Sequence, residues 1–183
     1  LSGSSNTAVG FKTLLSNTTG ACNTAVGYAA GLNATNGLLT AVGYKALTSA
    51  TAATYSTAVG VHALCSQTTG YSNVALGWSA GSAITEATDG VYIGKQAGVD
   101  ITTNSRVVSV GSSAGKNAGF GTTSVGFWAG IWTQATNGVN IGYGAGARGT
   151  ANATKNVFIG DMPTYGGDGT FEGDYNVAIG DSA

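Results

Sequence analysis

Apolar and polar positions alternate in short bursts along this chain, not in the wider stripes of a helix. The recurring burst is a β-branched residue, a small residue, an aliphatic residue and a glycine. It reads "TAVG" at Thr7–Gly10, Thr24–Gly27, Thr40–Gly43 and Thr57–Gly60, then "VALG", "VYIG", "VSVG", "TSVG", "VNIG", "VFIG" and "VAIG". The eleven copies end on Gly10, Gly27, Gly43, Gly60, Gly77, Gly94, Gly111, Gly126, Gly142, Gly160 and Gly180, 15 to 20 residues apart. A fixed period of this length marks stacked units that bury a core only through their neighbours. Residues 1–183 therefore read as a single repeat domain, with 161–176 an inserted loop in the longest interval.

Period-two alternation places the aliphatic residue before each glycine and the β-branched residue two positions earlier on one face of a short strand. The natural expectation is that these columns line the core. The small residues between them (Ala8, Ala25, Ala41, Ala58, Ala75) then face outward and accept close neighbours, with Tyr92, Asn140 and Phe158 as exceptions. Three residues after most glycines comes Ala, as at Ala30, Ala46 and Ala63, followed by Gly or Leu, which predicts a second short strand beyond a sharp glycine bend. Runs such as "SNTTG" and "SQTTG" turn the chain to the next copy. The predicted fold is all-β: a parallel β-solenoid of about eleven rungs, each strand, bend, strand and turn. At about 4.8 Å per rung the rod is on the order of 50 Å long. One buried aliphatic per rung is small against the entropy of ordering the rest of the rung, so several chains are expected to associate along the axis.

The run "NVAIG" (Asn176–Gly180), its relatives "SNVALG" and "NTAVG", and the Ala three residues on resemble the head of YadA-type trimeric autotransporter adhesins. The fuller form "NTAVGY" followed by "SNTTG" is similar to repeats of phage tail fibres and bacterial trimeric surface fibres. The resemblance spans nearly the whole chain, although the repeat is longer here than in the adhesin heads. It implies a left-handed parallel β-roll, a homotrimer, exposure outside the cell or on a virion, and attachment to a cell-surface glycan or protein. On this reading the chain is a structural and adhesive fibre segment, not an enzyme, and needs no cofactor. A self-assembling filament of subunits stacked end to end is the alternative. An ice-binding solenoid would need an unbroken threonine array, and the strand Thr column changes to Val after the fourth copy.

Composition narrows the classes further. There are 31 glycines but no three-residue period and one proline, which excludes collagen. A 43% hydrophobic content, a net charge of -1 and phased aliphatic columns argue against disorder. No run of 18 apolar residues exists, so no membrane insertion is expected in this segment, and no signal-peptide pattern opens the chain. It starts and stops inside the repeat, as a mature product or a piece of something longer would. The seven Lys and Arg are spread over its length with no stripe to neutralise phosphates, so nucleic acid is not an expected partner.

Candidate chemistry is sparse. His62, the one histidine, sits in a variable, mostly polar column and reads as an exposed bystander. Five of the eight acidic residues fall near the C-terminus, and "GGDGTFEGD" offers Asp168, Glu172 and Asp174 as a weak calcium candidate. Cys22 and Cys65 lie three rungs apart, roughly 14 Å, beyond the ~7 Å reach of a disulfide, so free thiols are expected. Aromatic residues after the glycine (Phe11, Tyr28, Tyr44, Trp78, Phe127, Tyr143) read as packing groups. Trp128 and Trp132, in "FWAGIWTQ", break the repeat pattern and are candidates for stacking on a ligand or filling a groove between chains. Tyr165 and Phe171 in the inserted loop are the other candidate contacts, because function on solenoids concentrates in inserted loops.

Overall fold

The computed structural model describes residues 3–132, 134, 136–147, 154–162 and 173–181. Each copy of the burst forms a three-residue strand: β1 (Thr7–Val9), β2 (Thr24–Val26), β3 (Thr40–Val42), β4 (Thr57–Val59), β5 (Val74–Leu76), β6 (Val91–Ile93), β7 (Val108–Val110), β8 (Thr123–Val125), β9 (Val139–Ile141), β10 (Val157–Ile159) and β11 (Val177–Ile179). The eleven strands make one parallel sheet in chain order. Like residues stack: Thr7 faces Thr24, Val26 faces Val42 and Ile159 faces Ile179. The chain thus rises one strand spacing per copy, and the fold is a β-solenoid with no helix among the described residues.

The second strand expected after each glycine does not form. Positions two and four past the glycine take left-handed backbone, as at Lys45 (φ 55°) and Leu47 (φ 49°), or His62 (φ 58°) and Leu64 (φ 47°). Two such steps coil the chain where a strand would extend it. The coil is still tied to its neighbours, since Lys45 N–H donates to Tyr28 O at 2.9 Å and Leu64 N–H donates to Ala80 O at 3.0 Å. Each rung is therefore strand, bend and coil.

At the bend, Gly43 has a φ of 130° and stacks on the glycines of the adjoining rungs. A Cβ there would stand 2.5 Å from Gly60 O, so the rungs approach as closely as they do only because both positions lack one.

The direction of the strand faces is the reverse of the sequence expectation. The middle residue of the strand points inward: Ala25, Ala41, Ala58, Ala75, Tyr92, Ser109 and Ser124 are buried. The aliphatic neighbours point outward, with Val9 57%, Leu76 49% and Ile141 39% exposed. The cause is room. A single short coil encloses little space, and the alanines three past each glycine (Ala30, Ala46, Ala63), with Leu47, Leu64, Ile84 and Ile101, already fill it. Tyr92 shows the rule by its exception, for Gly81, Gly90 and Gly98 surround its ring and a Cβ on Gly90 or Gly98 would overlap it. Volume added in one column is removed from its neighbours, as close packing requires.

An asparagine before some of the strands supplies a second interior device, unmarked in the sequence reading. Asn73, fully buried, donates from Nδ2 to Ala87 O at 2.7 Å and accepts at Oδ1 from Gly90 N–H at 2.9 Å. Asn23 likewise donates to Asn36 O at 3.1 Å and accepts from Leu39 N–H at 3.0 Å. Each asparagine thus closes the next rung's backbone through both ends of one amide. At the fourth rung Ser56 stands in this column, and Gln67 Nε2 reaches in to donate to Ser56 Oγ at 2.8 Å and to Gly70 O at 2.6 Å.

Replacing Asn73 by Ala leaves a buried N–H and a buried carbonyl without partners, which costs about 2–4 kcal/mol in denaturant unfolding. Tyr92→Phe removes a buried hydroxyl that has no hydrogen-bond partner, and burial already pushes that phenol's pKa above its ordinary value. Its unfolding free energy is expected to match or exceed the parent's, whereas Tyr92→Ala loses about 3–5 kcal/mol through the cavity it opens.

Candidate functional site

With the interior filled, chemistry on this protein has to lie on its outer surface. Four positions of each rung point outward across the sheet: the second residue before the strand, the strand's first and last residues, and the one after the glycine. The last two columns are apolar over most of the length. Val9, Leu76, Ile141 and Ile179 stand in one, Phe11, Tyr28, Tyr44, Val61, Trp78, Phe127 and Tyr143 in the other, and all are exposed. An exposed apolar band of this kind is a candidate interaction surface.

Within the band the aromatic rings pack on each other. Phe11, Tyr28 and Tyr44 stack in series with centroids 5.6 and 5.2 Å apart and interplanar angles of 25° and 13°. His62, expected as an exposed bystander, is half-buried and continues the series, 5.4 Å from Tyr44 at 13°. Stacked in this way the rings spend their faces on one another and present edges outward.

Trp128 joins a second cluster, stacked on Phe127 at 4.8 Å and tilted against Tyr143 at 6.4 Å. Trp132 stands apart, 55% exposed, with Lys116 Nζ 5.1 Å from its ring centre. The two tryptophans that the sequence singled out are thus both at the surface but belong to different contacts. Tyr165, Phe171, Asp168 and Glu172 lie outside the described residues. Among the described residues no group of three or more His, Cys, Asp or Glu is placed to hold a metal.

The described basic residues follow a rule that their spacing in the sequence conceals. Lys12, Lys45, Lys95, Arg106, Lys116 and Lys155 each lie over an aromatic ring, at 4.7 to 5.5 Å from its centre. Cations are thereby tied to the exposed rings, an attraction of about 0.5–1 kcal/mol each at such sites.

Asp174 lies near the end of the inserted loop. Its Oδ1 accepts from Thr154 N–H at 2.6 Å, and this bond first, with the Lys155 charge beside it, holds its pKa below the usual carboxylate value. Lys155 Nζ donates to Tyr175 Oη at 2.6 Å, which raises the ammonium's pKa. These contacts fasten the last described rung to the one before it.

A threonine column that runs past the point where the strand Thr column ends appears on another edge. The hydroxyls of Thr51, Thr68 and Thr85 donate to the main-chain oxygens of Thr68, Thr85 and Thr102 at 3.4, 3.2 and 3.3 Å, and Thr35 does the same to Thr51. Their protons are used along the axis. Beside this column a shallow groove of about 440 Å³ opens between Thr19, Asn36, Cys22, Leu38 and Thr54. Cys22 is exposed and Cys65 half-buried, and both are free thiols.

Comparison with protein-family models, curated protein sequences and solved structures finds no match to this chain. Among the described residues no helix is long and apolar enough to cross a membrane.

Tyr44→Ala removes the ring that two neighbours stack on and a cation rests over, and is expected to lower the unfolding free energy by about 1–3 kcal/mol. The Asp174 contact should respond to acid. A lowered folded-state pKa means its contribution is present above the ordinary carboxylate pKa near 4 and is lost as pH falls below it. The Thr154 amide proton resonance, followed by NMR, should move upfield through that range and stay unmoved in Asp174→Asn.

Proposed function

We propose that this chain is a structural and adhesive segment of an extracellular trimeric fibre, of the surface-adhesin or phage tail-fibre kind, which displays a binding surface for a cell-surface glycan or protein. The observation that carries the reading is the apolar band: valine, isoleucine and aromatic side chains face outward on one side of the solenoid from β1 to β11. A lone rod leaves that band in water. Parallel copies packed about a common axis bury it, and burial of apolar surface is the dominant favourable term in protein association. The resemblance of "NTAVGY" and "NVAIG" to trimeric adhesin and tail-fibre repeats supports three copies.

In this reading the chain's work is to hold a surface at a distance from its anchor, with no catalytic step. Trp128 and Trp132 are the contact candidates, since indole rings combine a large apolar area with a polar N–H. Tyr165 and Phe171 in the inserted loop join them as candidate contacts.

The purified chain should run at three times its 17.9 kDa mass and appear in negative stain as short rods. Val59→Asp, which puts a charge in the middle of the band, should shift that mass to the single chain. On a glycan array Trp128→Ala with Trp132→Ala should lose binding while remaining trimeric. A parent that is monomeric at micromolar concentration contradicts the reading, and long filaments in place of short rods favour end-to-end stacking of subunits.

A further inference from the structure

The band has two edges with different residues, and the pairing of these edges rung by rung suggests how copies meet. The edge before the strand, two positions ahead of it, carries Leu38, Tyr55, Asp89, Arg106 and Lys155 in rungs three, four, six, seven and ten. The edge after the glycine carries Tyr44, Val61, Lys95, Ser112 and Asp161 in the same rungs. In four of these five rungs, three, four, six and ten, the two edges match, while Arg106 stands with Ser112 in rung seven. Leu38 goes with Tyr44 and Tyr55 with Val61, apolar with apolar. Asp89 goes with Lys95 and Lys155 with Asp161, opposite charge with opposite charge.

These four charged side chains are all exposed. Their contacts within the chain lie elsewhere: Asp89 Oδ2 accepts from Thr88 Oγ1 at 3.3 Å, Lys95 lies over Trp78, and Lys155 donates to Tyr175. Among the described residues the recorded ion pair is Lys116 with Asp100, on a different side. The complementarity is therefore not used inside one copy.

Closed rotational symmetry about an axis along the rod brings equivalent rungs to the same height and sets one edge of each copy against the other edge of its neighbour. Resting on the trimer reading above, we infer that copies of this chain pack parallel with their rungs level, the edge before the strand of one against the edge after the glycine of the next, and that Asp89–Lys95 and Lys155–Asp161 contacts across this seam set the register. A slip of one rung in one direction would bring Arg106 against Lys95, like against like. A slip in the other direction would leave Asp89 facing Ser112. Antiparallel packing would set each edge against itself. Charged pairs at such a seam act mainly by excluding wrong partners and registers, while the apolar band supplies the affinity.

The test uses the full chain with Asp89→Lys, with Lys95→Asp and with both together, followed by sedimentation equilibrium at low salt. Each single reversal should raise the midpoint concentration of assembly about ten-fold or more, by setting like charges together at every seam. The double reversal should return it to the parent value, because the pair is restored between neighbours. Far-UV circular dichroism of each variant checks that the solenoid is intact, and two independent single reversals guard against one that misfolds. Single reversals without effect, or a double variant as weak as the singles, overturn the level-rung seam while a trimeric parent keeps the trimer reading standing. A monomeric parent overturns both.

Discussion

The structure depends on main-chain hydrogen bonding between successive rungs at one strand spacing. It continues past the three-residue strands into the coil, where Ala29 N–H meets Phe11 O and Gly31 N–H meets Ala46 O, each at 2.9 Å. Holding the whole loop to that spacing forces every rung to follow the path of the one below it. Equivalent residues then stack in columns, and a column tolerates only what fits directly above a copy of itself. Hence the stacked glycines at each bend. Hence also the narrow interior, which alanine fills at most strand positions and which turns the larger valines and isoleucines outward.

A constraint of this kind works between rungs more than within one. Ser56 is too short to do the work of Asn23 or Asn73, and Gln67 from the other side of the same interior supplies the missing amide. Tyr92 is too large for an alanine site, and three glycines around it make the space. Both cases keep the sum of volume and hydrogen bonds while moving the atoms to a different column, which is why they look like noise when each column is read alone.

This explains what was legible in advance. The number of rungs, their boundaries and their in-register stacking follow from the glycine and the aliphatic residue before it, since a strand ending in a required glycine leaves a strong local mark. The inside and outside of the strand were read in reverse, because hydropathy places Val59 in a core and Ala58 at its surface without knowing how little the core can hold. The clue lay in the conjunction of two columns of mostly small residues, those of Ala58 and Ala63, both of which are buried. The left-handed coil after the bend was marked only by the glycines four positions on, such as Gly31, Gly81 and Gly98 (φ 57°, 58° and 61°), because Lys45, Leu47 and His62 carry no residue-level sign of positive φ. The surface was legible by residue and not by contact: Trp128 and Trp132 were recognisable as unusual, but the basic residues over aromatic rings and the Thr68–Thr85–Thr102 ladder arise only when rungs are set one above another. Small groups are thus enclosed and large apolar groups displayed on the outer columns of the rod.

The most direct measurement of the stacking itself is a spin-label pair at Ser49 and Ser66, equivalent coil positions of successive rungs, in a chain with Cys22 and Cys65 replaced by Ser. The account predicts backbone positions about 5 Å apart and a spectrum strongly broadened by dipolar and exchange coupling. Two sharp, uncoupled labels, separated by tens of ångströms, would contradict it.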